Sequence, residues 1–187
     1  RTVGYVFQNP DDQIFNQSVR AEIEYMPRYF KLSAAETRRR VERAVTLAGL
    51  EDYMGKNPFD IPYPIRKFVT IAAVLATEPK YVIFDEPTAG QDRRGTQILE
   101  TMMDELQKEG IAVVTITHDM EFVARNFDRV VAMAHRNILA DGTAAEIFGN
   151  DQVVNEARIR RPQLAQLALD LGLQGILNGD ELVNALD

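Results

Sequence analysis

The stretch Tyr81-Val82-Ile83-Phe84-Asp85-Glu86-Pro87-Thr88-Ala89-Gly90-Gln91-Asp92 decides how the rest of the chain can fold. Its first four residues are apolar and have high β-propensity, which predicts a buried strand. Two adjacent carboxylates follow, and then Pro87 and Gly90 end the strand. A carboxylate pair is costly at the end of a buried strand unless something charged binds there. Ligands of open α/β sheets bind beyond the carboxyl ends of the strands, so Asp85 and Glu86 mark a candidate site. The alternative is a strand that simply ends in a polar turn.

Composition limits the class of protein. The 187 residues suit one domain with a sizeable core, or a core plus a small subdomain. The net charge of -7 and the sequence pI near 5.0 argue against nucleic acid as the main partner. The sequence contains no Cys, which excludes disulfides and thiolate metal sites. No apolar run approaches the ~18 residues of a membrane span, so we expect any membrane association to depend on a partner.

Two further strands are predicted to lie beside the first. Residues 1 to 7 are predicted to form one strand, and Ile111 to Ile116 is a continuous β-branched run, typical of a strand buried on both faces. The intervening helix runs from about Arg93 to Lys108 and stops at Gly110. Strands that alternate with helices in this way predict an α/β fold with a parallel sheet.

Residues 18 to 77 are predicted to be almost wholly helical. Ser33-Ala34-Ala35-Glu36 has the sequence of a capping box and opens a helix that extends to about Ala48. A basic run lies on the same helix, and we favour a solvated face for it over a binding site. The run consists of Arg38, Arg39, Arg40 and Arg43.

Four motifs occur in the order found in the ATP-binding subunits of ABC transporters. Phe84 to Thr88 resembles the Walker B motif, and Ala89 to Asp92 resembles the D-loop. Thr115 to Asp119 resembles the switch-histidine motif, and Val6 to Pro10 resembles the Q-loop. The longer stretch FQNPDDQIF, Phe7 to Phe15, is similar to the ATPases of energy-coupling-factor importers of vitamins and metal ions. The resemblance covers nearly the whole chain and implies a P-loop NTPase-like ABC ATPase core with a helical subdomain.

The same resemblance implies ATP and Mg²⁺ as cofactors and gives individual residues their roles. Asp85 would hold Mg²⁺ through a water, and Gln8 would bind the Mg²⁺ or the attacking water. Glu86 would act as general base, and His118 would contact the γ-phosphate. Asp92 would reach across a dimer interface. Two alternatives stay open: Gln8 could belong to a polar turn, and Asp92 could simply favour the dipole of the helix that follows it.

The segment that should grip the γ-phosphate of an opposite domain departs from the family's pattern. Ile61-Pro62-Tyr63-Pro64-Ile65 stands where LSGGQ or a variant of it is expected. Proline has no N–H to donate, and Pro62 also removes the signature hydroxyl. The nucleotide contact carried by Pro62, Tyr63 and Pro64 should therefore be weak, since each lost charge-assisted hydrogen bond is worth roughly 1.5–3 kcal/mol. The alternative is a local geometry that preserves binding.

The helix after this segment should still form, because proline is tolerated in the first turn of a helix. Arg66 and Lys67 are expected to keep some positive charge near the signature position. The fold should thus stand while the composite ATP site is weakened.

The sequence contains no Gly-rich GxxxxGK[ST] loop, which in P-loop proteins cradles the phosphates. The family carries this loop upstream of the Q-loop, and the chain begins with Arg1 instead of Met. The resemblance therefore implies that an N-terminal part, including one strand of the sheet, is absent, which would leave neighbouring strands without ladder partners. We expect this chain alone to be inactive and to bind ATP no more tightly than the millimolar range, or about -4 kcal/mol.

The predicted organisation has three parts. Residues 1–17 and 78–150 would form the partial ATPase core, and residues 18–77 would form the helical subdomain with the degenerate signature. Residues 151–187 would form a C-terminal helical extension, which the resemblance implicates in dimer contacts.

The resemblance implies the ATP-binding and ATP-hydrolysing subunit of an energy-coupling-factor importer at the cytoplasmic face of the cell membrane. Its partners would be a second, unlike ABC ATPase domain and a transmembrane energy-coupling subunit. The alternative is a non-hydrolysing structural or regulatory half of a heterodimeric ATPase, against which Glu86 and His118 argue. A soluble ABC protein of DNA repair or translation is favoured neither by the charge nor by the FQNPDDQIF loop.

Overall fold

The computed structural model of the chain describes residues 2–186. Arg1, at the start of the predicted first strand, and Asp187, at the end of the predicted C-terminal extension, lie outside the described residues. The chain divides into two compact units, Arg1–Ile116 and Thr117–Asp187. The predicted division into core, subdomain and extension stays a prediction.

The described part of the first unit contains a three-stranded parallel sheet with the order β1-β2-β3. The strands are β1 (Val3–Val6), β2 (Tyr81–Asp85) and β3 (Ala112–Ile116). The helices are α1 (Val19–Tyr29), α2 (Ala34–Ala48), α3 (Tyr63–Leu75) and α4 (Arg93–Lys108). Short 3-10 turns occur at Pro10–Asp12, Glu51–Tyr53 and Pro58–Asp60. The predicted α/β class, the parallel sheet and the helix from Arg93 to Lys108 are confirmed.

The second unit is built on an antiparallel hairpin. Its strands are β4 (Val130–Ala134) and β5 (Asn137–Gly142), and His135 and Arg136 at the turn both have positive φ. The helices described here are α5 (Met120–Asn126), α6 (Ala144–Gly149), α7 (Asp151–Ala157), α8 (Gln163–Asp170) and α9 (Gly179–Leu186). A small core forms between the hairpin and these helices and contains Val123, Ala132, Ala144, Ile147, Phe148 and Val153. Among residues 2–186, no helix is both long enough and apolar enough to cross a bilayer.

Ion pairs organise the outer face of α2. The Ser33 hydroxyl caps the helix by accepting the Glu36 N–H, as predicted. The Glu36 carboxylate pairs with Arg39 and Arg40 instead of closing the capping box. Both arginines also pair with Glu78, in the connection between α3 and β2. The basic run on this helix is therefore largely an ion-paired face.

The prediction that β3 is buried on both faces is wrong for the described residues. Val114 and Ile116 are 50% and 51% exposed, whereas Val82 and Phe84 on β2 are fully buried. α4 packs against β3, and the residues that alternate with Val114 and Ile116 are half-buried. The β-branched run is typical of a strand with a packed layer on each face. In the described residues, α4 packs against one face of β3, and Val114 and Ile116 on the other face are exposed.

A glycine allows β1 to approach α3. A Cβ on Gly4 would overlap Val74 Cγ1 and lie 3.1 Å from Pro79 Cγ. We expect Gly4→Ala to lower the free energy of unfolding by about 1–3 kcal/mol, measured by urea denaturation, because overpacking forces the side chains or backbone to shift. Gly55→Ala is the control, since nothing lies within 4 Å of the place where a Cβ on Gly55 would sit. The double substitution Gly4→Ala and Val74→Ala should cost less than the sum of the two single ones, and simple additivity would contradict the contact.

The ion pairs of α2 predict a pH-dependent contribution to stability. Hydrogen bonds from Arg39 and Arg40 lower the pKa of Glu36 from 4.5 to about 2. A carboxyl whose pKa is lower in the folded state stabilises the fold above its unfolded pKa, and this contribution is lost as the pH falls through the folded pKa. The difference in melting temperature between the protein and Glu36→Gln should thus be constant above pH 5 and shrink as the pH falls towards 2. In a background with Arg39→Met and Arg40→Met, a difference that still shrinks would show that these pairs are not its source.

Candidate functional site

The carboxyl ends of β1 and β2 bring three predicted site residues to one edge of the sheet. Val6 pairs with Phe84 in the parallel register. Gln8 lies two residues beyond Val6, and Asp85 and Glu86 come directly after Phe84. Gln8 is exposed, whereas Asp85 and Glu86 are half-buried. The edge therefore presents an amide and two carboxylates within reach of solvent.

His118 belongs to the second unit. It follows the end of β3 by two residues and precedes α5, whose N-terminus Asp119 caps by accepting the Phe122 N–H at 3.0 Å. The Asp119 N–H in turn bonds to Thr117 Oγ1 at 3.0 Å. These bonds define the local backbone around His118, and its approach to the sheet-edge carboxylates stays a prediction.

A tyrosine that the sequence interpretation missed holds Asp85. The Tyr5 hydroxyl donates to Asp85 Oδ2 at 2.8 Å. The same bond raises the pKa of Tyr5, because the proton stabilises the carboxylate beside it. The signal in the sequence was an aromatic hydroxyl on the strand next to β2. The contact orients the carboxylate and occupies one of its two oxygens.

The backbone turns sharply at Glu86. Glu86 has φ of 47°, a left-handed conformation that costs a non-glycine residue about 1–3 kcal/mol. Its N–H still bonds to the Ile116 carbonyl at 2.8 Å, which extends the ladder between β2 and β3. Its carbonyl then accepts the Ala89 N–H at 3.2 Å. The turn therefore fixes where the Glu86 side chain leaves the sheet.

Asp92 forms the N-cap of α4. Its carboxylate accepts the Gly95 N–H at 2.8 Å, so the alternative of a helix-start role is confirmed. The residue is exposed. Its reach across a dimer interface stays a prediction.

Prolines limit the N–H groups that the segment at the signature position can offer. Pro62 is the N-cap of α3 without a side-chain hydrogen bond, and Pro64 in the first turn has no N–H. The N–H groups of Ile65 and Arg66 both bond to the Pro62 carbonyl at 3.0 Å. Tyr63 is 41% exposed at the helix start. Few first-turn amides are left to receive an anion, which supports a weak contact at Pro62, Tyr63 and Pro64.

Arg66 and Lys67 keep positive charge next to the signature position, but both side chains are bound by groups of the protein. Arg66 donates to Asp11 Oδ1 at 2.7 Å and to carbonyls within residues 58–61. Lys67 is 1% exposed. Both cations therefore contact groups of the protein itself.

Lys67 lies under the turn that carries Glu86. Its Nζ donates to the Glu86 carbonyl and, at 3.5 Å, to the Ala89 carbonyl. Burial lowers the pKa of Lys67, and the negative charges of Glu86 and Asp85 oppose that change. The sequence signal was a lysine on the apolar stripe of α3, one helical turn before the buried Ile71.

The residues at the edge suit Mg²⁺ bound together with phosphate. Among residues 2–186, no group of three or more His, Asp or Glu side chains is arranged to hold a metal alone. Mg²⁺ is usually held by one or two carboxylates plus substrate phosphates and water. The Asp85 carboxylate and the Gln8 amide oxygen are hard ligands of that kind, so the donor set fits.

The chain matches no protein-family model. It is 36% identical over 186 residues to a protein of Pyrococcus furiosus named as an ABC transporter ATP-binding protein. The alignment covers 100% of this chain and 71% of the relative. It is also 36% identical over 167 residues to the energy-coupling factor transporter ATP-binding protein of Methanocaldococcus jannaschii. This alignment covers 89% of this chain and 60% of the relative.

Solved structures agree with these relatives. CbiO1 from Clostridium perfringens, described as part of the ABC transporter complex CbiONQ, has a TM-score of 0.74 and 32% identity over 92% of this chain and 68% of its own. A dimeric bacterial ABC transporter cassette has a TM-score of 0.67 and 25% identity over 76% of this chain and 63% of its own. The fold is thus the P-loop NTPase-like fold of ABC cassettes. The chain belongs to the ATP-binding proteins of ABC transporters, a family that includes energy-coupling-factor ATPases.

Proposed function

We propose that this chain supplies the catalytic carboxylates of an ATPase that powers an energy-coupling-factor type importer. The observation that carries the proposal is the placement of Gln8, Asp85 and Glu86 at the carboxyl edge of one parallel sheet. Relatives with ATP-binding names support it across the whole of that region. The phosphate-cradling Gly-rich loop is not among the 187 residues, so the proposal concerns the hydrolytic half of the site.

Asp85 and Gln8 are the residues that would hold Mg²⁺. When bound with ATP, the ion neutralises charge that develops on the phosphates. The Tyr5 hydroxyl supports this role, because it fixes one oxygen of Asp85 at 2.8 Å and so orients the other. Gln8, exposed at the same edge, can also orient a water beside the metal.

Glu86 is the proposed general base. A general base must lie within hydrogen-bond reach of the water whose proton it takes. Glu86 has a left-handed backbone conformation, whereas Asp85 belongs to β2, so the proposed base and the proposed metal ligand leave the chain from different backbone conformations. His118 is proposed to contact the γ-phosphate and thereby complete the constellation.

The proposed assembly is a pair of unlike ATPase domains on a transmembrane subunit at the cytoplasmic face of the membrane. In such a pair, the site built on Glu86 would face the partner's signature and would keep its chemistry if the phosphate-cradling loop is present. The site served by Pro62, Tyr63 and Pro64 would be weak, in keeping with the missing N–H groups of Pro62 and Pro64. Exposed apolar residues on α8, at its C-cap and on α9 support a role for residues 151–187 in dimer contacts. They are Leu167, Leu171, Val183 and Leu186.

A non-hydrolysing structural or regulatory half is the second candidate. The proline-containing signature segment favours it, because a domain that never turns over ATP does not need a working anion site there. Glu86 and His118 argue against it, since a structural half needs neither a base nor a γ-phosphate contact.

The test is ATP turnover with Glu86→Gln in an assembled pair, in which this chain is part of a full-length domain that includes the phosphate-cradling loop. We expect kcat to fall by about 100-fold or more while ATP binding is retained, because the loss of a general base affects the chemical step. Glu42→Gln, at an exposed position on α2, is the control and should leave kcat unchanged. Turnover that is independent of Glu86 would instead support the non-hydrolysing half.

A further inference from the structure

The proposed function assigns no role to the buried ammonium of Lys67. Lys67 is among the largest fully buried side chains of the described residues, with 1% of its surface exposed. Its Nζ donates to two carbonyls of one turn, those of Glu86 and Ala89. Lysine is almost never fully buried unless it is paired.

Stability alone is a weak explanation for this lysine. Removing an ammonium from water costs several kcal/mol, and apolar residues of similar volume often stabilise a fold as well or better. Burial lowers the pKa of Lys67, which is the electrostatic mark of that cost. The acceptors are the more informative observation, because both belong to the turn that carries the proposed general base.

That turn is anchored on α3 at both of its ends. Lys67 holds the end at Glu86 and Ala89. At the other end, Gln91 Nε2 donates to the Pro64 carbonyl at 3.0 Å. The Tyr63 ring lies against Gly90, where an added Cβ would come within 3.3 Å of it. The start of α3 is poorly suited to receive an anion, but its contacts hold the C-terminal end of the turn that follows β2.

We propose that Lys67 is a positioning residue whose ammonium holds the Glu86–Ala89 turn in its left-handed conformation and so sets the direction of the Glu86 carboxylate. The backbone strain at Glu86, φ 47°, is the reason that a clamp is needed there. The role in turnover rests on the proposed function of Glu86, whereas the clamp itself does not.

The first test is amide hydrogen exchange in the full chain. Lys67→Met keeps the apolar stem and removes the charge, so exchange of the amides of Glu86 and of residues 88–91 should rise about tenfold or more, while exchange in β2 changes little. Lys67→Arg keeps the charge and should restore part of the protection. Lys56→Met is the control, because Lys56 is exposed and its Nζ lies 4.5 Å from the centroid of the Tyr53 ring.

Unchanged exchange at residues 86–91 in Lys67→Met overturns the clamp. If that variant does not fold, Lys67→Gln replaces it; a neutral donor should give intermediate exchange, and exchange equal to that of the unsubstituted chain overturns the clamp as well.

The second test is turnover in the assembled pair. Lys67→Met should lower kcat about tenfold or more and leave KM for ATP within about twofold, because a misdirected base slows chemistry without weakening binding. Partial recovery of kcat in Lys67→Arg supports positioning, and an equal loss in both variants, or a loss confined to KM, contradicts it. Absence of turnover in the unsubstituted pair would defeat the proposed function instead, and the exchange result would still decide the clamp.

Discussion

The parallel pairing of β2 with β1 and β3 is the constraint on which the site depends. Because the strands run in one direction and in register, the residues after Val6 and Phe84 emerge at the same edge. Fully buried Val82 and Phe84 fix β2 in that position. A strand shifted by one residue would direct Asp85 to the opposite face of the sheet, since side chains alternate. The polar groups thus emerge at one edge because burial of the apolar residues of β2 allows only one register of strand pairing.

A second consequence concerns α3, where two demands compete for the same first turn. In the family's pattern, this helix start receives a phosphate, which needs free N–H groups and positive charge. Here, Pro62 and Pro64 have no N–H to donate, and Arg66 and Lys67 are bound to groups of the protein itself. The helix keeps its contact with the Glu86 turn. We therefore propose that the chain retains the groups for chemistry in its own site, while its signature segment serves the site of a partner only weakly.

Much of the fold could be predicted from the sequence, and less of the support around the site. The limits of α4 and the start of α2 follow from local signals at Asp92, Gly110 and Ser33, which act within one helical turn. The carboxylates were found because they end an apolar strand. Tyr5 and Lys67 were missed because their partners lie about 80 and 20 residues away in the chain, and only tertiary packing brings them together. The exposure of β3 was mispredicted for the same reason. A β-branched strand is buried on both faces only when a packed layer covers each face, and the sequence of the strand does not show whether the second layer is present.

The most direct measurement of the central claim is paramagnetic broadening by Mn²⁺ bound with ATP in the assembled pair. The account predicts that the NMR signals of Gln8, Asp85 and Glu86, together with the His118 imidazole, are lost first, and that Asp85→Asn abolishes the effect. Broadening centred on other residues, or broadening that Asp85→Asn leaves intact, would contradict the proposal that this sheet edge holds the metal and the nucleotide.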